Sequence, residues 1–252
     1  MLIVYVINRK GVILMKYVLD VHTHTLVSGH AFSTMREMAR AAREKGLELL
    51  GITEHAPAMP GTCHELYFRN LKMVERQMEG IELMLGVELN IVDYEGNVDL
   101  DEEILSKMDL VIASMHMPCF QSGTMEENTK AYLSVLRNPY VDIIGHPEDA
   151  RFPVDFEKLV YAAKENGKLL EVNNNSLDFR CTRQGGWDNY RKMLEYCKVY
   201  KQPIVVNSDA HVDQLVGRHQ DAYQLLREME FPKELIVNQS VDLLKSYLHR
   251  FR

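Results

Sequence analysis

The chain has 252 residues, of which 46% are hydrophobic and 26% are charged, with a formal net charge of −7. This balance is typical of a globular enzyme, and the length fits either one large α/β barrel or two small domains. The negative charge argues against a general affinity for nucleic acid phosphates, although bound cations could create one local positive site.

The four cysteines are scattered along the chain and form no CxxC pair. This spacing is typical of reduced thiols and predicts a cytoplasmic protein without a disulfide framework. No apolar run reaches the length of a membrane span, so the sequence predicts no membrane association.

The first convincing strand follows Met15, so residues 1–14 need a separate explanation. They lack the basic start and the small-residue cleavage site of a signal peptide. One interpretation is a non-native or mis-assigned extension that precedes a single domain over residues 15–252. The other is an additional edge strand at residues 2–7, and composition does not decide between them.

Short apolar runs alternate with segments of helical spacing along the rest of the chain. The runs predict strands at residues 17–21, 47–53, 82–87, 110–113, 141–144, 169–172 and 204–206. The spacing predicts helices at residues 34–46, 70–80, 155–167, 189–200 and 241–250, three of them ending at Gly46, Gly80 and Gly167. Such alternation indicates parallel strands joined by helices, and seven units favour a β/α barrel over the alternative of an open sheet.

Polar motifs follow directly at the end of every predicted strand. In chain order they are DVHTH, ITEH, GVE, ASMH, IGH, EVNNN and NSDAH. In β/α barrels the carboxyl ends of the strands converge on one face, where the active site is built. We therefore expect side chains that are far apart in sequence to meet there.

The histidines of these motifs predict a metal site. His22 and His24 alternate on one extended segment, so both imidazoles point to the same side, and Asp209 and His211 repeat this spacing. Glu88 ends another strand without a basic residue nearby. Three further histidines each follow a strand: His55, His116 and His146. One such histidine is more often structural, but a buried cluster of imidazoles and carboxylates is costly without a cation.

Together these motifs resemble the PHP (polymerase and histidinol phosphatase) superfamily. His22-Thr23-His24 followed by His30 matches its HxH…H opening, and Thr53-Glu54-His55 matches its second motif. The remaining motifs match in order: Glu88, His116, His146 and Ser208-Asp209-Ala210-His211. Within the superfamily, the segments SMHMP, GHPE, EVNNNS and FPKELIVNQS are similar to the YcdX-type phosphatases.

The resemblance implies a distorted seven-stranded, TIM-like β/α barrel with a trinuclear metal centre. The implied ligands are His22, His24, Glu88 and Asp209 for the first ion, Glu88, His116 and His146 for the second, and His30, His55 and His211 for the third. Zinc is the expected ion, with manganese and iron as alternatives. The expected catalytic residues are the bridging Glu88 and Asp209, which would serve as a ligand or accept a proton from the attacking water.

Three residues near the EVNNN strand are candidates for substrate binding: Arg180, Arg183 and Asn174. The arginines would either clamp a phosphate or lie solvated on the surface. Asn174 would either bind a substrate hydroxyl or cap the following turn. His219 and His249 lie in helical segments, and we expect both to face solvent.

The implied function is a metal-dependent phosphoesterase that hydrolyses phosphate monoesters of small molecules. One alternative is a DNA-end exonuclease or proofreading-type module, since PHP domains also occur in that role. The other is a non-catalytic metal-binding protein, which the complete ligand set disfavours. The expected partner is a small phosphorylated substrate. We expect binding neither to a membrane nor to nucleic acid, and the sequence leaves open whether the chain forms a homo-oligomer.

Overall fold

The computed structural model describes residues 7–8, 11–12 and 17–252. The strands in these residues are β1 (Ile7–Asn8), β2 (Gly11–Val12), β3 (Leu19–Asp20), β4 (Leu49–His55), β5 (Gln77–Met78), β6 (Ile81–Asn90), β7 (Val111–Ser114), β8 (Ile143–Ile144), β9 (Leu169–Asn173) and β10 (Ile204–Asn207). The α-helices are α1 (Met35–Glu44), α2 (Leu66–Asn70), α3 (Glu102–Leu105), α4 (Met125–Val135), α5 (Phe156–Glu165), α6 (Gly186–Tyr200), α7 (Gln220–Glu228) and α8 (Val241–Lys245).

Seven of these strands form one parallel sheet in the order β10-β9-β8-β7-β6-β4-β3. The short β5 pairs antiparallel with β6 beside this path. The two ends of the sheet approach each other where Thr23 bridges Ala210, and the His24 N–H donates to the Ala210 carbonyl at 2.9 Å. The sheet is therefore a nearly closed barrel surrounded by helices, which confirms the predicted fold.

Side chains complete the seam between β3 and β10. Asn207 Oδ1 accepts the N–H of Val21 at 2.9 Å, and Asp20 accepts both the N–H and the hydroxyl of Ser208, at 3.1 and 2.5 Å. Asn238 donates to carbonyls on both strands. These side chains are almost completely buried, so water does not compete for their hydrogen bonds. The bonds therefore hold the two strands in register.

The helices outside the barrel are defined by caps and by one buried face. The Thr34 hydroxyl accepts the N–H of Glu37 before α1, and the Glu37 side chain returns to the Thr34 N–H, which makes a capping box. Met38 and Ala42 lie one turn apart on the side of this helix that faces the sheet, and both are fully buried. The predicted helix at residues 34–46 is thus confirmed with slightly shorter bounds.

The inner side of the barrel changes from apolar to polar along each strand. Leu169 belongs to an apolar cluster, and Glu171, two residues later, points to the same side because strand side chains alternate. Val205 and Asn207 repeat the change in β10. Leu244, in α8, packs on the apolar cluster and closes the barrel at the amino ends of the strands. The polar inner residues therefore collect at the carboxyl ends.

Gly51 permits the close approach of β4 to the first parallel strand. A Cβ atom at this position would lie 2.7 Å from both the Cα and the carbonyl oxygen of Val21. That separation is well inside van der Waals contact, and backbone atoms cannot move aside as a side chain can. Glycine is therefore required at position 51, which faces the backbone of Val21, the residue directly before His22.

The predicted helix at residues 70–80 is wrong. The chain there leaves α2, makes a short 3₁₀ turn at Leu71–Met73, and then forms β5. Met78 pairs with Ile81, and the two residues between them, Glu79 and Gly80, have φ values of 53° and 83°. Two consecutive left-handed residues make the tight turn that twisted hairpins favour, so Gly80 turns a hairpin and does not end a helix.

The expectation that His219 and His249 face solvent is also wrong. His219 is 3% exposed and lies beside the rings of Tyr17 and Tyr223. His249 Nδ1 lies 2.9 Å from Oδ2 of the buried Asp142 at the amino end of β8. Tertiary packing against the barrel decides both positions, which helical spacing alone does not reveal.

Most of the prediction for residues 1–14 lies outside the described residues. Within it, the backbone of Ile7–Asn8 pairs antiparallel with Gly11–Val12 in a separate two-stranded sheet. Among the described residues, no helix combines the length and the apolar character that crossing a membrane requires.

Candidate metal centre

The candidate ligands collect at the carboxyl ends of the parallel strands, around a cavity of about 460 Å³. The cavity is lined by His30, His55, Met59, Glu88, His116, His146, Asn175, Arg180, Cys181, Thr182, Arg183, Asp209, His211 and Leu215. His22 and His24 are fully buried behind this lining. The fold thus brings together side chains that span nearly 190 positions of the sequence.

Glu88 divides its two oxygens between two groups of histidines. Its Oε1 lies 2.8 Å from His146 Nε2 and 3.2 Å from His116 Nε2. Its Oε2 lies 3.3 Å from His22 Nε2 and 3.5 Å from His24 Nε2. The carboxylate is fully buried and faces no solvent; Oε2 also lies 2.7 Å from His55 Nδ1, so Oε1 faces two imidazole nitrogens and Oε2 faces three. Such an arrangement would allow the carboxylate to bridge two ions.

The other candidate ligands extend the cluster towards the cavity mouth. Asp209 Oδ1 lies 3.3 Å from His24 Nε2, and His211 Nε2 lies 3.1 Å from His30 Nε2. His55 stands between the groups, with Nδ1 2.7 Å from an oxygen of Glu88. Three groups of ligand atoms each lie within 4.8 Å of one another: His22, His24 and Asp209; His55, Glu88 and His116; His24, His55 and His211.

Several ligand atoms in this cluster lack a hydrogen-bond partner among the described residues. They are His22 Nε2, His24 Nε2, His55 Nδ1 and Glu88 Oε2, all buried. The last two atoms lie 2.7 Å apart without a hydrogen bond between them. A buried polar atom without a partner is costly, and cations shared among these ligands would satisfy all four atoms. Imidazole and carboxylate donors without thiolate fit zinc, manganese or iron.

Hydrogen bonds at the far side of the rings orient the histidines. Nδ1 of His22 lies 2.8 Å from Glu171, and Nδ1 of His24 lies 3.1 Å from the Ser28 hydroxyl, which donates to Glu54 at 2.6 Å. Two further rings are held in the same way: His116 by Asn90 and His211 by the Asp209 carbonyl. In each case Nε2 is left to face the cluster, as in metal sites whose ligands are oriented by outer partners.

The carboxylates of the cluster remain ionised. Burial by itself raises the pKa of Glu88, but His22, His116 and His55 hold that pKa well below its ordinary value. Asp209 behaves likewise: burial raises its pKa, and His22 with Arg183 holds it well below the usual range. The site therefore presents two carboxylates in their anionic form at neutral pH, which is the form that binds cations.

Two of the candidate ligands adopt left-handed backbone conformations. His146 has a φ of 29° and Asp209 a φ of 53°. For residues other than glycine this costs about 1–2 kcal/mol and persists where the surroundings fix the backbone. The His146 N–H is fixed by a 2.9 Å hydrogen bond to Glu171.

The two arginines predicted for substrate binding both line the cavity but differ in their setting. Arg183 is largely buried; its Nη2 lies 2.5 Å from Asp209 Oδ2, and its Nε donates to Ser176 at 2.8 Å. Arg180 is 58% exposed and donates to both oxygens of Asp178. Arg183 is thus part of the cluster wall, whereas Arg180 lies at the rim.

Asn174 points away from the cavity. Its Oδ1 accepts the N–H of Ala222 at 3.0 Å, and its Nδ2 donates to Asp221 at 3.3 Å, both in the first turn of α7. Its neighbour Asn175 lines the cavity instead. The Asn174 side chain therefore bonds to α7, and it makes no capping hydrogen bond to the turn that follows it, Asn175–Leu177, so the predicted cap of that turn is wrong.

Sequence reasoning missed Glu171, which supports the cluster from beneath. The sequence contains a signal for this residue, because Glu171 is the one charged residue in the apolar strand LLEVN. The structure shows that its side chain is fully buried. A charge inside a buried strand requires partners.

A sequence model of the PHP domain matches residues 20–231. The chain belongs to the PHP domain family. This match runs from Asp20, the last residue of β3, to the residues after α7, and therefore includes every candidate ligand and the other six strands of the parallel sheet.

PHP proteins of high similarity cover nearly the whole chain. A probable phosphatase of Acetivibrio thermocellus is 45% identical over 236 residues, which are 94% of this chain and 97% of the relative. A probable phosphatase of Caldanaerobacter subterraneus subsp. tengcongensis is 48% identical over 244 residues, or 96% of this chain and 95% of the relative. These comparisons class this PHP protein with the hydrolases of phosphate esters.

Solved structures of low sequence identity share the fold. Histidinol phosphate phosphatase of Lactococcus lactis, solved with zinc, L-histidinol and phosphate, has a TM-score of 0.60 at 19% identity and covers 86% of this chain and 95% of its own. A chain of archaeal ribonuclease P with mature tRNA has a TM-score of 0.56 at 13% identity, covering 91% and 90%. At such identities the likeness concerns the barrel alone.

Proposed function

We propose that this PHP protein is a phosphomonoesterase that binds three divalent metal ions and releases phosphate from a small molecule. The observation that carries the proposal is the division of the Glu88 oxygens between two groups of imidazoles, beside a third group at the cavity mouth. The phosphatase names of the relatives and the zinc in the Lactococcus lactis enzyme support the same activity.

The proposed ligand sets are those that the resemblance to the PHP family implies, and the distances from Glu88 and Asp209 support the first two. His22, His24, Asp209 and one oxygen of Glu88 would hold the first ion, and the other oxygen would hold the second. Two histidines complete the second set: His116 and His146. The third set is His30, His55 and His211. Zinc is the proposed ion, with manganese or iron as substitutes. Bound ions would supply a nucleophilic water at neutral pH and neutralise phosphoryl oxygens.

The charge of the cluster favours a monoester. Three divalent cations would outweigh the two carboxylates among the candidate ligands, Glu88 and Asp209, together with Glu171 behind His22, and leave a positive site at the cavity floor. A terminal phosphoryl group carries more negative charge than a diester, so such a site prefers it. The guanidinium of Arg183 adds a further positive charge in the cavity wall. A cavity of about 460 Å³ suits a small molecule.

The residues of this chain have separate tasks in that reaction. Glu88 holds its two oxygens in place for two ions, and Asp209 serves as a ligand or accepts a proton from the attacking water. Arg183 and Arg180 would bind phosphoryl oxygens from the wall and the rim, as arginine forks do. Arg183 is oriented for this by Ser176 and Asp209.

The test combines metal analysis with a substrate panel. Protein purified without chelators and without added metal should hold about three ions per chain, by the usual count of three or four ligands for each. It should hydrolyse p-nitrophenyl phosphate and small phosphorylated metabolites faster than bis-p-nitrophenyl phosphate or single-stranded DNA. At most one ion per chain would refute the trinuclear centre, and degradation of DNA ends without any monoesterase activity would replace the proposed reaction.

A matched pair of histidine variants controls this measurement. His22→Ala removes a fully buried candidate ligand and should lower the metal content. His64→Ala removes an exposed histidine of the loop before α2, outside the cluster, and should leave the metal content unchanged.

A further inference from the structure

Glu171 lies in the middle of β9 with its carboxylate fully buried on the inner side of the barrel. Its Oε1 accepts from His22 Nδ1 and from Asn207 Nδ2, each at 2.8 Å. Its Oε2 accepts from the His146 N–H at 2.9 Å and from Asn173 Nδ2 at 3.1 Å. A carboxylate has about four acceptor positions, and these four donors fill them.

Each of the four donors reaches one of the candidate ligands or the segment that carries it. His22 and the backbone of His146 are bonded directly. Asn207 also accepts the N–H of Val21, next to His22, and Asn173 also donates to Asp209 Oδ2 at 3.2 Å. Glu171 thereby connects β3, β8, β9 and β10 where each strand enters the cluster.

The bond to His22 also decides which ring nitrogen carries the proton. When Nδ1 donates to Glu171, the lone pair of Nε2 is free, and Nε2 is the atom that lies 3.3 Å from Glu88 and 3.7 Å from Asp209. The bond to the His146 N–H likewise supports the left-handed backbone of that residue. Glu171 makes no hydrogen bond to the third ligand set.

We propose that Glu171 is a positioning residue that supports two of the three ions and leaves the third independent. It would do so by fixing the tautomer of His22 and the backbone of His146. This role deepens the proposed function and requires its metal centre. None of the motifs at the strand ends includes this side chain as a ligand.

The isosteric change Glu171→Gln tests the role because all four partners are donors. An amide must place its NH₂ against two of them in either orientation. In one orientation the NH₂ group faces His22 and Asn207. The His22 proton must then move to Nε2, where it prevents metal binding. In the other orientation the NH₂ group faces the His146 N–H and Asn173, which removes the hydrogen bond that holds the His146 backbone.

Asp142→Asn provides a matched control. Asp142 is also a buried carboxylate that accepts from a histidine ring, His249, and from backbone N–H groups. It lies directly before β8, at the opposite end of the barrel from the cluster. The two variants therefore impose the same kind of defect, but only one of them imposes it beside the candidate ligands.

Zinc titration of the metal-free proteins against a chromophoric chelator gives the readout. We expect three sites in the wild type and in Asp142→Asn. In Glu171→Gln we expect the third site to keep wild-type affinity and at least one of the first two sites to be weakened about 10- to 100-fold, as is typical for loss of an orienting partner. Three sites of wild-type affinity in Glu171→Gln would overturn the proposal, and so would equal weakening of all three.

Two further outcomes separate this proposal from the proposed function. If the wild type bound fewer than three ions, the trinuclear function would be refuted. The role of Glu171 would still be tested, because Glu171→Gln, unlike Asp142→Asn, should lower the zinc affinity at least about tenfold. If Glu171→Gln did not fold, ¹⁵N-labelled zinc-loaded wild type would decide. A slowly exchanging Nδ1–H resonance that disappears in His22→Ala supports the proposal, and a His22 ring protonated on Nε2 overturns it.

Discussion

Arg183 places its Nη2 atom 2.5 Å from Oδ2 of Asp209, so the wall of the cavity is joined directly to the candidate metal centre. The contact also orders the guanidinium: burial alone would lower the pKa of Arg183, but Asp209 and Glu148 raise it above its usual range. A permanently charged, fixed donor therefore faces the cavity.

The first prediction concerns this guanidinium. Arg183→Lys keeps the charge but loses the planar fork that reaches Asp209 and a phosphoryl oxygen together. Loss of a charge-assisted hydrogen bond of about 1.5–3 kcal/mol should lower kcat/KM for p-nitrophenyl phosphate about 10- to 100-fold. Arg180→Lys, at the exposed rim, should lower it by less than tenfold. A smaller effect at Arg183 than at Arg180 would contradict the assignment.

The second prediction compares two candidate ligands. Glu88→Gln should lower both activity and metal content more than His30→Ala, because Glu88 faces two groups of imidazoles whereas His30 faces only the outer one. A neutral amide cannot offer two anionic oxygens to two ions. Emission spectroscopy and initial rates on the same preparations give the comparison. Equal losses in both variants would count against bridging by Glu88.

The third prediction concerns metal removal. A strong chelator should abolish phosphatase activity and lower the melting temperature, because ions that bind only the folded state stabilise it by mass action. Ligand at 100 times its Kd contributes about 2.7 kcal/mol per site, and for a chain of this size each kcal/mol shifts Tm by about 2–4 °C. Zinc or manganese added back should restore both quantities. An unchanged Tm would show that the buried ligand atoms have another partner.

The fourth prediction concerns the approach of β4 to Val21. Gly51→Ala places a Cβ atom 2.7 Å from backbone atoms and should lower stability by several kcal/mol, at or above the upper end of the usual cost of about 1–3 kcal/mol for overpacking. Gly61→Ala should cost only about 1 kcal/mol, since its added Cβ meets nothing within 4 Å and only its left-handed φ of 86° is strained. Chemical denaturation of both variants measures the difference, and similar costs would contradict the steric explanation.

The sequence by itself determined the strand–helix alternation and the chemistry at the strand ends. Alternation at two-residue spacing placed His22 with His24, and Asp209 with His211, because side-chain direction along a strand is a local property. The family motifs then supplied the order of the remaining candidate ligands, and the structure brings all nine to one end of the barrel.

Only the tertiary structure decided which atoms face each other and which residues support them. Glu171 appeared as an isolated acid in an apolar strand, and its four donors come from three other strand ends and from its own strand. The hairpin at Glu79-Gly80 replaced a predicted helix because pairing with β6 outweighs helical spacing. Asn174 and Asn175 are adjacent in sequence, but Asn174 bonds to α7 whereas Asn175 lines the cavity. Local periodicity cannot report such choices, because they depend on contacts between segments far apart in the chain.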